Sequence, residues 1–122
     1  MSGSREIEIA NTTRGTVLGE HIVFADNALS RGVGLLGKAG LDPGCGLLID
    51  PSSGIHTVGM RFPIDVVALD GKMRVRGLWE NLKPFRIAAL SWRTKCVLEL
   101  PVGVIRESRT EVNDQLVIRR EA

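Results

Sequence analysis

The polar side chains that could do chemistry gather around one corner of the chain, between His56 and Asp65. The imidazole of His56 can exchange a proton near neutral pH. Asp65 opens the apolar run 66–69, so its carboxylate must be paired or hydrogen-bonded if that run is buried. Glu99 interrupts a second apolar run, and it could equally lie on the solvent side of a half-buried strand. The candidate ligand-binding residues are His56, Thr57, Arg61, Asp65, Arg31 and Glu99.

Both a structural and a functional role are open for these residues. A lone histidine is more often hydrogen-bonded inside a fold than catalytic. We expect Asp65 to pair with Arg61 or Arg31, or to accept backbone N–H bonds, because an unpartnered buried carboxylate is unstable. An enzyme would use His56 as a general acid or base oriented by Asp65. No nucleophile–base pair is visible in the sequence, so the catalytic residues are unknown.

Metal and dinucleotide sites have little support in the sequence. The chain has two histidines and two cysteines, and none of them has the spacing of a zinc site. The segment 32–37 matches G-x-G-x-x-G, but residues 26–31 separate it from the preceding predicted strand. Gly40 and Pro43 would end a helix within about two turns. We therefore predict no metal and no cofactor.

Cysteines and aromatic residues give two further expectations. Cys45 and Cys96 each border an apolar run, which predicts reduced and mostly buried thiols. Trp79 and Trp92 flank an irregular stretch that contains the segment 83–86, Lys-Pro-Phe-Arg. Such aromatic residues beside cations can form a ligand or peptide surface, or they can cover the end of a barrel.

Composition excludes several classes of protein. The chain of 122 residues is 43% hydrophobic and 25% charged, which is typical of a globular domain rather than a disordered chain. The length predicts one domain over residues 1–122. The net charge of +2 argues against a nucleic-acid partner, and the short apolar runs argue against insertion into a membrane. The N-terminal residues show no signal peptide, so we expect a cytoplasmic protein.

Short apolar segments separated by Gly, Pro, Asp and Asn predict a mainly β protein. Alternation along 96–100 predicts that one face carries Cys96, Leu98 and Leu100. The other face carries Val97 and Glu99. A short helix is expected near 27–36, and a second one could begin in 101–109. The fold class is a small antiparallel β-sandwich or partly closed barrel with one or two short helices. The predicted strands cover residues 5–10, 16–25, 45–50, 55–60, 64–69, 73–76, 95–100 and 115–120.

Several blocks of sequence, in this order, resemble the family called domain of unknown function 192. The central block is His56-Thr57, then Met60-Arg61-Phe62-Pro63-Ile64-Asp65-Val66-Val67, then Leu69-Asp70. The flanking blocks are Ser30-Arg31-Gly32-Val33-Gly34-Leu35-Leu36-Gly37, Gly46-Leu47-Leu48-Ile49, Val97-Leu98-Glu99-Leu100-Pro101-Val102-Gly103 and Asn113-Asp114, the last where the family usually has Gly-Asp. The resemblance covers roughly residues 12–119 and implies a small, mostly antiparallel β fold with a short helix. The chain departs from the pattern at Val58 and Ala68, where relatives often carry aromatic residues.

The family has no established activity, so the resemblance implies a fold rather than a function. We predict a binding module that takes a small polar ligand or a peptide at the corner of His56, Arg61 and Asp65. The partner is then an unknown small ligand or protein. The alternatives are a structural or interaction protein without a ligand site, and an enzyme that uses His56 as acid or base.

Overall fold

The computed structural model describes residues 6–25, 40–57, 60–88 and 91–120. Within these ranges the chain forms strands and one short helix. They are β1 (Glu6–Asn11), β2 (Thr16–Ala25), β3 (Cys45–Ile49), β4 (Ile55–His56), β5 (Ile64–Leu69), β6 (Val75–Leu82), β7 (Ile87–Ala88), β8 (Cys96–Leu100), α1 (Val104–Ser108) and β9 (Leu116–Arg119). The helix expected near 27–36 lies outside the described residues.

Seven of the strands form one mixed sheet in the order β6-β5-β8-β3-β2-β1-β9. All neighbours are antiparallel except β2 and β3, which are parallel. The sheet is not closed into a barrel. Among the described residues, its two outermost strands are linked next to their first residues, where Arg74 and Gln115 form an isolated antiparallel bridge. The predicted mainly β, mostly antiparallel fold is confirmed.

Each face of the sheet carries its own apolar core. The helix-side core lies under α1 and includes Leu98, Leu100 and Ile105. The ribbon-side core lies under the two-stranded ribbon of β4 and β7, and Ala88 of β7 packs into it beside Val97. The alternation predicted along β8 is confirmed, since its even-numbered apolar residues belong to one core and Val97 to the other.

Three elements differ from the expectation. Of the strand predicted over 55–60, only the first two residues form a strand, β4, among the described residues. The strand predicted over 73–76 continues to Leu82, and β7 forms inside the stretch predicted as irregular. Gly77 and Asn81 interrupt the pattern of apolar and polar residues along β6. Asn81 adopts a left-handed backbone (φ 53°), and next to it β6 has one residue more than β5 between successive pairs. The pairing of β6 with a fully buried neighbour therefore overrides its weak pattern.

Gly46 lets two strands of the sheet approach closely. A Cβ atom built on Gly46 would lie 2.5 Å from the carbonyl oxygen of Glu99 on β8 and 2.9 Å from a methyl group of Ile22 on β2. Strand β3 lies between β2 and β8, so this contact is at the centre of the sheet. Only a residue without a side chain fits there.

A buried polar cluster ties the β1–β2 turn to the chain after α1. Asp114 accepts hydrogen bonds from the Asn11 amide at 3.0 Å, the Arg14 Nε at 2.9 Å and the Glu111 backbone N–H at 2.9 Å. Burial alone would raise the pKa of Asp114. The hydrogen bonds from Arg14, Asn11 and Glu111, together with the charge of Arg14, outweigh it and lower that pKa to about 2.

Substituting Gly46 by alanine tests the close approach of β3 to its neighbours. We expect Gly46→Ala to lower the free energy of unfolding by about 1–3 kcal/mol, because the backbone of Glu99 cannot move away from the new methyl group. Gly71 is the matched control, since no atom lies within 4 Å of its built Cβ. Urea unfolding of both variants measures the effect, and equal losses would contradict it.

The lowered pKa of Asp114 predicts a loss of stability in acid. The folded protein stabilises the ionised form of Asp114 relative to the unfolded chain. The resulting gain in the free energy of unfolding, about 2 kcal/mol, is complete above about pH 4 and disappears toward pH 2. Asp114→Asn should remove it. The difference in unfolding free energy between parent and variant should shrink as the pH falls from 4 to 2. A constant difference would show that the charge of Asp114 contributes nothing.

Candidate functional site

Asp65 is completely buried, and both of its carboxylate oxygens accept backbone hydrogen bonds. The Oδ1 atom accepts the N–H of Asn81 at 2.9 Å. The Oδ2 atom accepts the N–H of Gly103 at 3.1 Å and that of Ile105 at 3.0 Å. A carboxylate suits this site because its two oxygens accept hydrogen bonds, and here they meet three backbone donors. Asp65 thus joins β5 to β6 and to the start of α1.

Local backbone conformation explains why these donors need Asp65. The residue before α1 is Gly103, whose φ of 105° is one that glycine adopts readily. Because glycine has no side chain, it cannot itself cap the first turn of the helix. The carboxylate of Asp65 reaches from the sheet and supplies that cap. Asn81, with its left-handed backbone, stands where the β5–β6 pairing skips a position, and its N–H needs a partner other than the ladder.

The expected partners of Asp65 are now distinguished. Acceptance of backbone N–H bonds is confirmed. Arg61 is exposed, and within the described residues it forms no ion pair with Asp65. Arg31 lies outside the described residues. A ligand contact by Asp65 stays a prediction.

Thr57 follows β4 and is also fully buried. Its hydroxyl donates a hydrogen bond to the Lys83 carbonyl at 2.7 Å and accepts one from the Arg86 N–H at 2.7 Å. Its backbone N–H donates to the Arg86 carbonyl, and its carbonyl accepts the Phe85 N–H. Thr57 therefore fixes the loop 83–86 against β4, and all its polar groups serve that purpose.

Glu99 is completely buried, so its placement on the solvent side of a half-buried strand is wrong. It alternates with Leu98 and Leu100 and thus faces the ribbon side of the sheet, opposite to Asp65. The ribbon and the segments that lead into it cover this face, which a pattern confined to β8 cannot reveal. The two buried acids consequently belong to different layers of the protein.

The four candidates whose side chains the structure describes do not form one open site. Asp65 and Glu99 lie on opposite faces, Thr57 is buried in the loop attachment, and Arg61 is on the surface. His56 pairs with Ile87 through the backbone of the ribbon, and its side chain lies outside the described part. Their role in ligand binding stays a prediction.

The described residues of the segment 83–93, which contains β7, present apolar and cationic side chains to solvent. Phe85 is 67% exposed, Ile87 69% and Trp92 87%. Trp92 therefore does not cover the end of the sheet, whereas Trp79 is half-buried against the ribbon-side core. We give the name ribbon surface to the exposed apolar and cationic residues on either side of β7 and within it: Lys83, Phe85, Arg86, Ile87, Trp92 and Arg93. The aromatic residues beside cations in the sequence indicate this segment, but the sequence does not show which of them are exposed.

One edge of β7 pairs with β4, and the other edge faces away from β4. The Arg86 carbonyl accepts the N–H of Thr57 on the β4 side. Because backbone groups alternate along an extended strand, the N–H and carbonyl of Ile87 point to the opposite edge. Among the described residues no third strand pairs with this ribbon. The open edge and the exposed side chain of Ile87 thus occur at the same place.

A cavity of about 760 Å³ lies elsewhere, between β2, the loop 41–44 and α1. Val17 and Val102, both half-exposed, line it together with Glu20 and Glu107 at the surface. Its buried polar lining residue, Ser108, uses its hydroxyl on the Ile105 carbonyl and on Thr110. Thr57, Arg61, Asp65 and Glu99 are not among the described residues that line this cavity.

The thiols have a structural setting. Both cysteines are free, as predicted, but only Cys96 is fully buried, whereas Cys45 is half-buried. Burial, reinforced by the charge of Asp50, raises the pKa of Cys96 to about 12, so its thiolate is scarce at neutral pH. In the part of the chain that the structure describes, no three potential ligands gather for a metal ion, and no helix has the length and apolar character to cross a membrane.

Removing the carboxylate of Asp65 tests its structural role. Asp65→Ala leaves three backbone donors without an acceptor, so we expect the free energy of unfolding to fall by about 3 kcal/mol or more. Arg61→Ala is the control and should change it by less than about 0.5 kcal/mol, since Arg61 is exposed. Chemical unfolding measures both. An unchanged stability of Asp65→Ala would eliminate the structural role.

Comparison with known proteins agrees with the sequence blocks. The model of the family DUF192, described as "Uncharacterized ACR", matches residues 7–118. A UPF0127 protein of Pyrococcus furiosus is 31% identical over 112 residues, which cover 87% of this chain and 93% of that protein.

Two crystal structures show a similar fold. The "putative transcription regulator" of Sinorhizobium meliloti 1021 has a TM-score of 0.74 at 19% identity, with 97% of each chain covered. A protein of unknown function from Novosphingobium aromaticivorans DSM 12444 has a TM-score of 0.73 at 19% identity, with 92% of this chain and 83% of that chain covered. At such identities the likeness concerns the fold alone. The family match, which spans nearly the whole chain, shows that this protein belongs to the DUF192 family.

Proposed function

We propose that this protein is a binding module that holds an extended peptide segment of a partner protein along the ribbon. The observation that carries the proposal is Ile87. Its side chain is 69% exposed, and its backbone points to the open edge of β7. A peptide in strand conformation can add to such an edge through main-chain hydrogen bonds, while apolar side chains beside the edge provide contact area.

The scaffold beneath the ribbon supports this role. Ala88 anchors β7 in the ribbon-side core, and Thr57 fixes the loop that carries Phe85. A ribbon held in this way loses little conformational freedom when a partner binds, which favours affinity. The exposed apolar side chains would be a liability on a surface without a partner.

Catalysis receives less support from the same geometry. Asp65 was the residue expected to orient His56 as an acid or base. Three backbone N–H groups already use its carboxylate on the helix side of the sheet. The proposed binding function therefore uses the ribbon and does not depend on Asp65.

Selection of peptides tests the proposed function without assuming a sequence. A phage-displayed library of random linear twelve-residue peptides is selected on the immobilised protein, and the enriched peptides are measured by fluorescence anisotropy. We expect Ile87→Ser to weaken their binding by about tenfold, because the variant removes an apolar side chain from the interface.

Val112→Ser is the matched control, since Val112 is a half-exposed aliphatic residue in the turn before Asp114, away from the ribbon. It should leave peptide binding unchanged, and both variants should keep the parent melting temperature. If no peptide is enriched, or if the two variants bind equally well, the protein is not a peptide-binding module of this kind.

A further inference from the structure

Charge is distributed very unevenly over the chain. The two segments that contain the ribbon, 51–64 and 81–98, carry five cations and no Asp or Glu. Removing these five from the 16 Lys and Arg residues leaves 11 cations against 14 acidic residues, so the rest of the chain has a net charge of −3. The cations of the ribbon segments are Arg61, Lys83, Arg86, Arg93 and Lys95.

Most of these cations are available to a partner. Arg61, Lys83, Arg86 and Arg93 are exposed, and none of them forms an ion pair with a carboxylate in the described part of the chain. Lys95 differs, since its Nζ atom lies 3.5 Å from Asp50. Among the described residues, the guanidinium of Arg86 donates hydrogen bonds to the carbonyl oxygens of Phe85 at 3.3 Å and Pro84 at 3.5 Å. Carbonyl groups do not neutralise its charge.

Cations and apolar groups alternate along the ribbon surface. Arg86 stands between the exposed side chains of Phe85 and Ile87. At the other end of the segment, the guanidinium of Arg93 lies 5.1 Å from the centre of the Trp92 ring. Arg86 and Arg93 therefore each have an exposed apolar neighbour, and a complementary ligand must combine negative charge with apolar groups at similarly close spacing.

We infer that the ribbon surface recognises an acidic peptide segment in extended conformation, with carboxylates and apolar side chains interspersed. This inference rests on the proposed function and names its partner class. The open edge of β7 favours a peptide over other anions, because a phospholipid surface or a nucleic acid cannot complete a strand ladder. The carboxylates would face Lys83, Arg86 and Arg93, and the apolar side chains would cover Phe85 and Ile87.

Three labelled eight-residue peptides test the inference by fluorescence anisotropy: alternating Glu and Val, alternating Gln and Val, and alternating Lys and Val. We expect the Glu peptide to bind at least about fivefold more tightly than the Gln peptide, and the Lys peptide most weakly. Raising NaCl from about 50 to about 300 mM should remove most of the difference between the Glu and Gln peptides, because salt screens exposed charges.

Arg86→Gln should weaken the Glu peptide by about threefold to fivefold and leave the Gln peptide unchanged. Arg106→Gln is the matched control, since Arg106 is an exposed arginine on α1, and it should change neither affinity. Equal loss in the two variants would mean that overall charge, rather than the ribbon, attracts the peptide.

The outcomes separate this inference from the proposed function. If the Gln peptide binds as tightly as the Glu peptide and Ile87→Ser weakens both, the ribbon binds peptides without selecting acidic ones, and the inference is wrong. If none of the three peptides binds, and library selection also fails, the proposed function is wrong as well. Binding of phosphatidylserine vesicles or oligothymidylate that Arg86→Gln abolishes, without peptide binding, would overturn the peptide in favour of that anion.

Discussion

The hydrogen bonds of one buried carboxylate hold the helix side of this protein together. Asp65 is the second residue of β5, a strand in which every residue is buried, and it accepts N–H groups from β6 and from the start of α1. A five-residue helix with glycine at its N-terminal boundary is unstable alone. The carboxylate provides the cap, and Ile105 places the helix in the core. Position and packing of α1 therefore depend on the same contact.

Other residues of the sequence blocks that resemble the family also serve the fold. Gly46 allows three strands to approach, and Asn113 occupies the usual glycine position with φ 81°, a backbone that glycine adopts without strain. Asp114, next to it, holds the polar cluster around Asn11. The segment 83–93 belongs to none of these blocks. The blocks consequently explain the fold, and the partner must be read from the surface between them.

The sequence predicts what depends on local periodicity. The alternation of β8 and the hydrogen bonding of the Asp65 carboxylate both follow from a few neighbouring residues, and both are confirmed. The environment of Glu99 depends on a ribbon of two two-residue strands, which is too short to leave a pattern. For the same reason the sequence leaves two interpretations of Trp79 and Trp92, a ligand or peptide surface and a cover for the end of a barrel. Only the tertiary placement of β7 distinguishes exposed Trp92 from half-buried Trp79.

Exposed apolar side chains beside an open strand edge would also promote association between copies of this chain. The cations of the ribbon surface oppose it, because two ribbons that approach edge to edge bring Lys83, Arg86 and Arg93 against the same charges. Placing charged side chains on an edge is a common protection against such pairing. An acidic segment reverses the sign of that interaction. The same side chains can thus exclude a second copy of the protein and admit a partner, so that one charge pattern accounts for both the persistence of an exposed apolar edge and the kind of peptide that would cover it.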